Sequence, residues 1–83
     1  IRVNAVAPGG INTDITQVEH RMLAELHETT AEAIAAQQAE GSAMKRRGEP
    51  REVGEVVAFL ASSQSSFVNG AVLPVDGGEP HGV

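Results

Sequence analysis

The run Pro8-Gly9-Gly10-Ile11-Asn12-Thr13 holds the residues best placed to do chemistry. It follows a mostly apolar stretch, Ile1 to Ala7, and precedes a polar helix start. Proline has no backbone N–H to donate, and glycine lets the chain pass close to another group. Asn12 or Thr13 can cap a helix, whose free N–H groups favour anions and polar ligand oxygens. In open α/β sheets, ligands lie beyond the carboxyl ends of the strands, so this turn stands where a ligand is expected. On the residues alone, Pro8-Gly9-Gly10 is also a plain strand-ending turn and Thr13 a plain helix cap.

Other reactive side chains are less well arranged. His20 and His27 fall on roughly one helix face with Glu19 and Glu28 near them, but spacing supplies no third ligand, so no metal site is expected. Both read as solvated polar positions. Lys45-Arg46-Arg47 reads as a solvated basic cluster, with an anion-facing arginine as the alternative. The Ser62–Ser66 run has no nearby histidine to activate a nucleophile. Asp76 beside Gly77 and Gly78 reads as a turn former.

The elements that would position these groups follow from periodicity. Ile1–Ala7 reads as a strand covered on both faces, as in a parallel sheet. Ile15, Val18, Met22 and Leu26 recur at helical spacing, giving a helix over 14–27. Thr29-Thr30 breaks the chain and caps a second, Ala-rich helix over 31–40, with Ala31, Ile34, Ala35 and Ala39 on one side and Gly41 as the stop. Pro50 at a first helical position, between Glu49 and Glu52, opens a third helix. Its face is Val53, Val56, Val57 and Leu60, and Gly54 inside it suggests a close backbone approach or a tolerated defect. Phe67-Val68-Asn69-Gly70 is an anchor and turn. Ala71–Val75 is a second strand, and Pro74 favours an edge position. Glu79 to Val83 is expected to be loosely held. Two strands joined by helices form a parallel, right-handed crossover.

Composition narrows the class. The 83 residues allow at most one small domain, with an aliphatic core, since there are two Phe and no Trp or Tyr. A net charge of −5 argues against a nucleic-acid partner. No apolar run nears the ~18 residues of a membrane span. The absence of cysteine excludes thiolate chemistry and fits a cytoplasmic setting. A chain that begins inside a buried-type strand, without Met, reads as a piece of something longer.

Three blocks, in order and at matching distances, carry a resemblance. They are Arg2-Val3-Asn4-Ala5-Val6-Ala7-Pro8-Gly9 with Ile11 and Thr13, Arg47-Gly48-Glu49-Pro50 to Phe59-Leu60-Ala61-Ser62, and Phe67-Val68-Asn69-Gly70 to Val75-Asp76-Gly77-Gly78. Together they resemble the C-terminal third of a short-chain dehydrogenase/reductase. The resemblance implies an α/β fold: the C-terminal βαβ part of a Rossmann-type doubly wound parallel sheet, an incomplete domain. It makes residues 1–83 one segment of a dinucleotide-binding domain and residues 14–46 its substrate flap. It implies that Pro8, Gly9, Ile11 and Thr13 line the nicotinamide end of NAD or NADP. An unpaired N–H near Ile11 would bond the carboxamide oxygen, and the Thr13 hydroxyl a carboxamide or phosphate oxygen. Ile15, Val18 and Met22 on the flap would line a substrate site, although they could equally face the sheet.

The family's catalytic Tyr, the Lys four residues on, and the glycine-rich phosphate turn are not in this chain, which has no Tyr at all. No residue here is expected to be catalytic. The resemblance therefore implies part of an NAD(P)-dependent oxidoreductase acting on small alcohol or ketone substrates. As in family members, the helix over 50–62 and the strand over 71–75 would build a homo-oligomer contact. The alternative is a non-catalytic chain that serves only packing or assembly.

Overall fold

In the computed structural model, which describes residues 1–80, two parallel strands pair along their whole length. β1 is Ala5–Pro8 and β2 is Val72–Val75, with Ala5 opposite Val72 and Pro8 opposite Val75. The first strand thus begins later than the apolar run and includes Pro8. Residues 2–4 are drawn into another arrangement. Asn4 Oδ1 accepts from the Ala71 N–H at 2.9 Å, and its amide nitrogen donates to Val68 O at 3.1 Å. The Val3 N–H bonds Asn69 Oδ1 at 2.9 Å, and the Arg2 guanidinium donates to the carbonyls of Ser62, Ser65 and Val68. Asn4 uses its side chain in place of a ladder bond, and this also delays β2 to Val72.

Helix α1 spans Asp14–Leu26, α2 Ala31–Ala39 and α3 Pro50–Ala61. Thr13 caps α1 by accepting from the Thr16 N–H at 3.2 Å, and Thr30 caps α2 by accepting from Ala33 N–H at 3.2 Å. His27, Glu40 and Ser62 each stand one place past the helix, as its C-cap. The serine run is not simply loop. Ser63–Ser65 forms a 3-10 turn, and Ser65 is 1% exposed, its hydroxyl 2.9 Å from both Phe59 O and Leu60 O.

The face that α1 buries is not the apolar stripe. Thr16, His20 and Ala24, spaced by one turn, are buried with Ile34 of α2, whereas Ile15, Met22 and Leu26 are 64–74% exposed and Val18 is 44% exposed. A small and polar stripe faces its partner, the Ala-rich α2. His20 is therefore not solvated as expected: its Nε2 lies 2.8 Å from Gln38 Oε1. Among the described residues, the α1–α2 hairpin packs on itself, neither helix packs on the strands or on α3, and α3 is the helix that covers the sheet. Gly54 has open space around it, so the close approach suggested for it does not occur within the described residues.

The tail expectation divides. Glu79 is half-buried and its Oε1 accepts from the Gly10 N–H at 2.8 Å, so it is tied down; residues 81–83 lie outside the described residues.

Candidate cofactor-facing loop

The carboxyl end of β1 runs into a loop held from three sides. The Gly9 N–H bonds Val75 O at 3.0 Å, continuing the sheet for one residue. The Gly10 N–H goes to Glu79, and Gly10 O accepts from the Gly48 N–H at 2.8 Å. The Asn12 N–H then bonds Gly48 O at 2.9 Å, so Ile11 and Gly48 form a single parallel bridge. Ile11 O accepts from Thr16 Oγ1 at 2.9 Å and from Arg47 Nη2 at 3.2 Å. Among the described residues, the Ile11 N–H has no acceptor, while the amides of Gly9, Gly10 and Asn12 are all engaged. Because the carbonyl of the same peptide plane is pinned to Gly48, that free N–H has a fixed direction.

Gly9 is required by this packing. A Cβ there would stand 2.5 Å from Asp76 Cβ and 2.8 Å from Glu79 Cδ. This close approach is to Asp76 and Glu79, just past β2.

Ile11 and Thr13 face different hollows. Ile11 joins Gly48, Pro74, Val75 and Gly77 around a cleft of about 480 Å³, and Thr13 joins Asp14, Gln17, His20 and Arg21 around one of about 550 Å³. Pro8 and Gly9 line neither. Val18 and Met22 border a shallow groove with Arg21 and Glu25, which Ile15 does not line, although it is exposed.

The basic cluster is exposed at Lys45 and Arg46, as the solvated reading expects, and departs from it at Arg47. Arg46 forms a two-pronged pair with Glu52, both contacts at 2.8 Å. That pairing, with the Glu49 N–H that Glu52 accepts at 3.0 Å, holds the Glu52 carboxyl down at about 2 and raises Arg46. Arg47 is half-buried and reaches Asn12 Oδ1, Gln38 Oε1 and Ile11 O. Lys45 and Arg46 both stay on the surface, Lys45 near Glu40. Sequence reasoning missed Arg46, Arg47 and Glu79. The usable signal was the glutamate at the third position of a proline-opened helix, just after two arginines. Asp76 behaves as a turn former, with its Oδ1 accepting from the Gly78 N–H at 2.9 Å.

Parallel strands joined by helical crossovers, with a loop presenting a free amide at the carboxyl end of a strand, define part of a Rossmann-type nucleotide-binding fold. The family model described as enoyl-(acyl carrier protein) reductase matches residues 1–79. A short-chain dehydrogenase/reductase of Aspergillus aculeatus is 44% identical over 79 residues, covering 94% of this chain and 30% of its own length. The 3-oxoacyl-[acyl-carrier-protein] reductase of Thermotoga maritima is 42% identical over 78 residues, covering 94% of this chain and 27% of its own. Among solved structures, a short chain dehydrogenase family protein from Francisella tularensis superposes with a TM-score of 0.89 at 32% identity, over 93% of this chain and 32% of that one. The L-sorbose reductase of Gluconobacter frateurii, solved with NADPH and L-sorbose, gives 0.89 at 27% identity, over 100% of this chain and 32% of that one. The chain belongs to the short-chain dehydrogenase/reductase family. It spans about 30% of the length of the relatives it matches, and so forms a partial domain.

Proposed function

We propose that this chain supplies the nicotinamide-side wall and the substrate flap of an NAD(P)-dependent oxidoreductase acting on alcohol or carbonyl substrates. The observation that carries the reading is the Ile11 N–H, free and fixed between three amides that are engaged. A nicotinamide carboxamide offers an acceptor oxygen that such a donor fits. The L-sorbose reductase solved with NADPH supports the cofactor class.

Bound cofactor would supply or accept a hydride at its nicotinamide ring. The residues of this chain bind and orient. Pro8 and Gly9 carry the backbone out of the sheet, the Ile11 N–H donates to the carboxamide, and Thr13 offers its hydroxyl at the mouth of α1. Ile15, Val18 and Met22 present apolar surface to substrate from the flap. Proton transfer falls to the Tyr and Lys of the family, which belong to the part of the domain this chain does not span. The lack of cysteine fits a cytoplasmic enzyme.

A second role is favoured by Val57 and Phe59 of α3 and Val72 of β2, which are exposed apolar residues. Through 50–62 and 71–75 the chain would pack against a second copy, and sedimentation of the complete protein tests this: a monomer contradicts it. For the enzymatic reading, NADH and NADPH are titrated into the protein made from its whole coding region, following nicotinamide fluorescence, with a carbonyl substrate then added. Saturable binding and substrate-dependent oxidation are expected. A folded protein that binds neither cofactor overturns the reading.

A further inference from the structure

The α1–α2 hairpin rests on neither the sheet nor α3, yet it would have to keep a defined pose above the Ile11 loop. We propose that Arg47 is a positioning residue that latches this hairpin onto the loop. The proposal rests on the cofactor-wall reading for its functional consequence, while the latch itself is a property of the fold.

The geometry is specific. Arg47 Nη1 donates to Gln38 Oε1 of α2 at 2.7 Å, Nε donates to Asn12 Oδ1 at 3.1 Å, and Nη2 donates to Ile11 O at 3.2 Å. One guanidinium thus spans the hairpin and the loop that leaves β1. The network continues on both sides. Gln38 Oε1 also lies 2.8 Å from His20 Nε2 on α1, and Asn12 Nδ2 donates to Glu49 Oε1 at 3.1 Å, at the start of α3. α1, α2, the loop and the α3 cap therefore share one chain of side chains, with Arg47 at its centre.

The hydrogen-bond logic fixes which ring nitrogen of a buried group donates. Arginine only donates, so the Gln38 atom that it meets is the amide oxygen. His20, facing the same oxygen, must then donate from Nε2. His20 is 6% exposed, so its orientation is held within the hairpin rather than by water. A lysine cannot reproduce the arrangement, because its compact ammonium lacks the planar fork that reaches three separated acceptors.

The test uses R47M and R47K in the protein made from its whole coding region, with R51M as a control of equal charge loss at a solvent-exposed side chain. Three readings are taken: amide hydrogen exchange, the nitrogen shifts of His20, and the KM values for cofactor and for substrate. In R47M, exchange across α1 and α2 rises about tenfold relative to α3, in keeping with the loss of charge-assisted hydrogen bonds. The His20 Nε2 signal moves, and substrate KM rises more than cofactor KM. R47K falls between, and R51M matches the parent.

Exchange in R47M equal to the parent overturns the latch, whether or not the protein binds NAD(P). Faster exchange with the ratio of the two KM values unchanged overturns the positioning role. A protein that shows the exchange change but binds no cofactor refutes the enzymatic reading and the positioning role together, leaving a latch without a site.

Discussion

Single residues of the loop divide between packing and recognition, and substitutions separate the two. Gly9→Ala would press a methyl into Asp76 and Glu79, and the expected loss is about 1–3 kcal/mol in denaturant unfolding of the complete protein. Gly54→Ala, with nothing within 4 Å, should instead gain up to about 1 kcal/mol from helix propensity. At Thr13 the cap and the proposed ligand contact can be told apart. Thr13→Ala should cost about 1 kcal/mol of stability, Thr13→Asn should restore the cap, and only Thr13→Ser should restore both cap and NAD(P) affinity. Equal cofactor affinity in all three variants would leave Thr13 as a cap alone. The cap was legible as Asn12 or Thr13 ahead of Asp14, because capping is local in sequence. Arg47 was not legible, since its three acceptors, at positions 11, 12 and 38, are brought together only when the α2–α3 loop folds back on the β1 exit.

Among the elements, α3 was the most legible, and the packing of α1 the least. Pro50 between two glutamates announces a helix start, and α3 begins there. In α1 the periodic apolar residues gave the helix but not the face that α2 buries, which is Thr16, His20 and Ala24. Periodicity reports that a stripe exists; the neighbour decides which stripe is buried. The start of α3 also carries a pH dependence. The Glu52 carboxyl sits near 2 in the folded chain, below the ordinary carboxylate value of roughly 4.3. Its stabilising effect is therefore present above that ordinary value and is lost as pH falls from there toward 2. Glu52→Gln should flatten this acid limb in pH-dependent unfolding, and added salt should shrink the difference, since the pair is solvent-exposed. An unchanged limb would mean that the Arg46–Glu52 pair does not persist in solution.

At the scale of the whole molecule, the chain is a slab, 50 by 28 by 17 Å, with only Ala24, Ile34 and Leu60 as buried apolar residues among those described. Its accessible surface is 6078 Å², against about 4,700 Å² for a folded monomer of this size. That excess fits a partial domain whose strands and helix faces are completed by further structure. The 83 residues alone should show no cooperative thermal transition and no NAD binding by calorimetry, and a sharp transition with clear binding would contradict this. The crossover topology was readable from strand, helices and strand in order, because parallel pairing leaves few alternatives. The open surface was not, because apolar residues look alike whether they meet their own chain or another.

The central claim is that the loop from Gly9 to Thr13 meets the nicotinamide end of the cofactor. The most direct measurement is the amide resonance of Ile11 in the complete protein, 15N-labelled at isoleucine. It is recorded with NADP, and then with 2′-phospho-ADP-ribose, which lacks the nicotinamide. A shift of the Ile11 amide with NADP that is absent with the truncated ligand is the predicted result. Equal shifts with both ligands, or no shift while NADP is bound, would contradict the account.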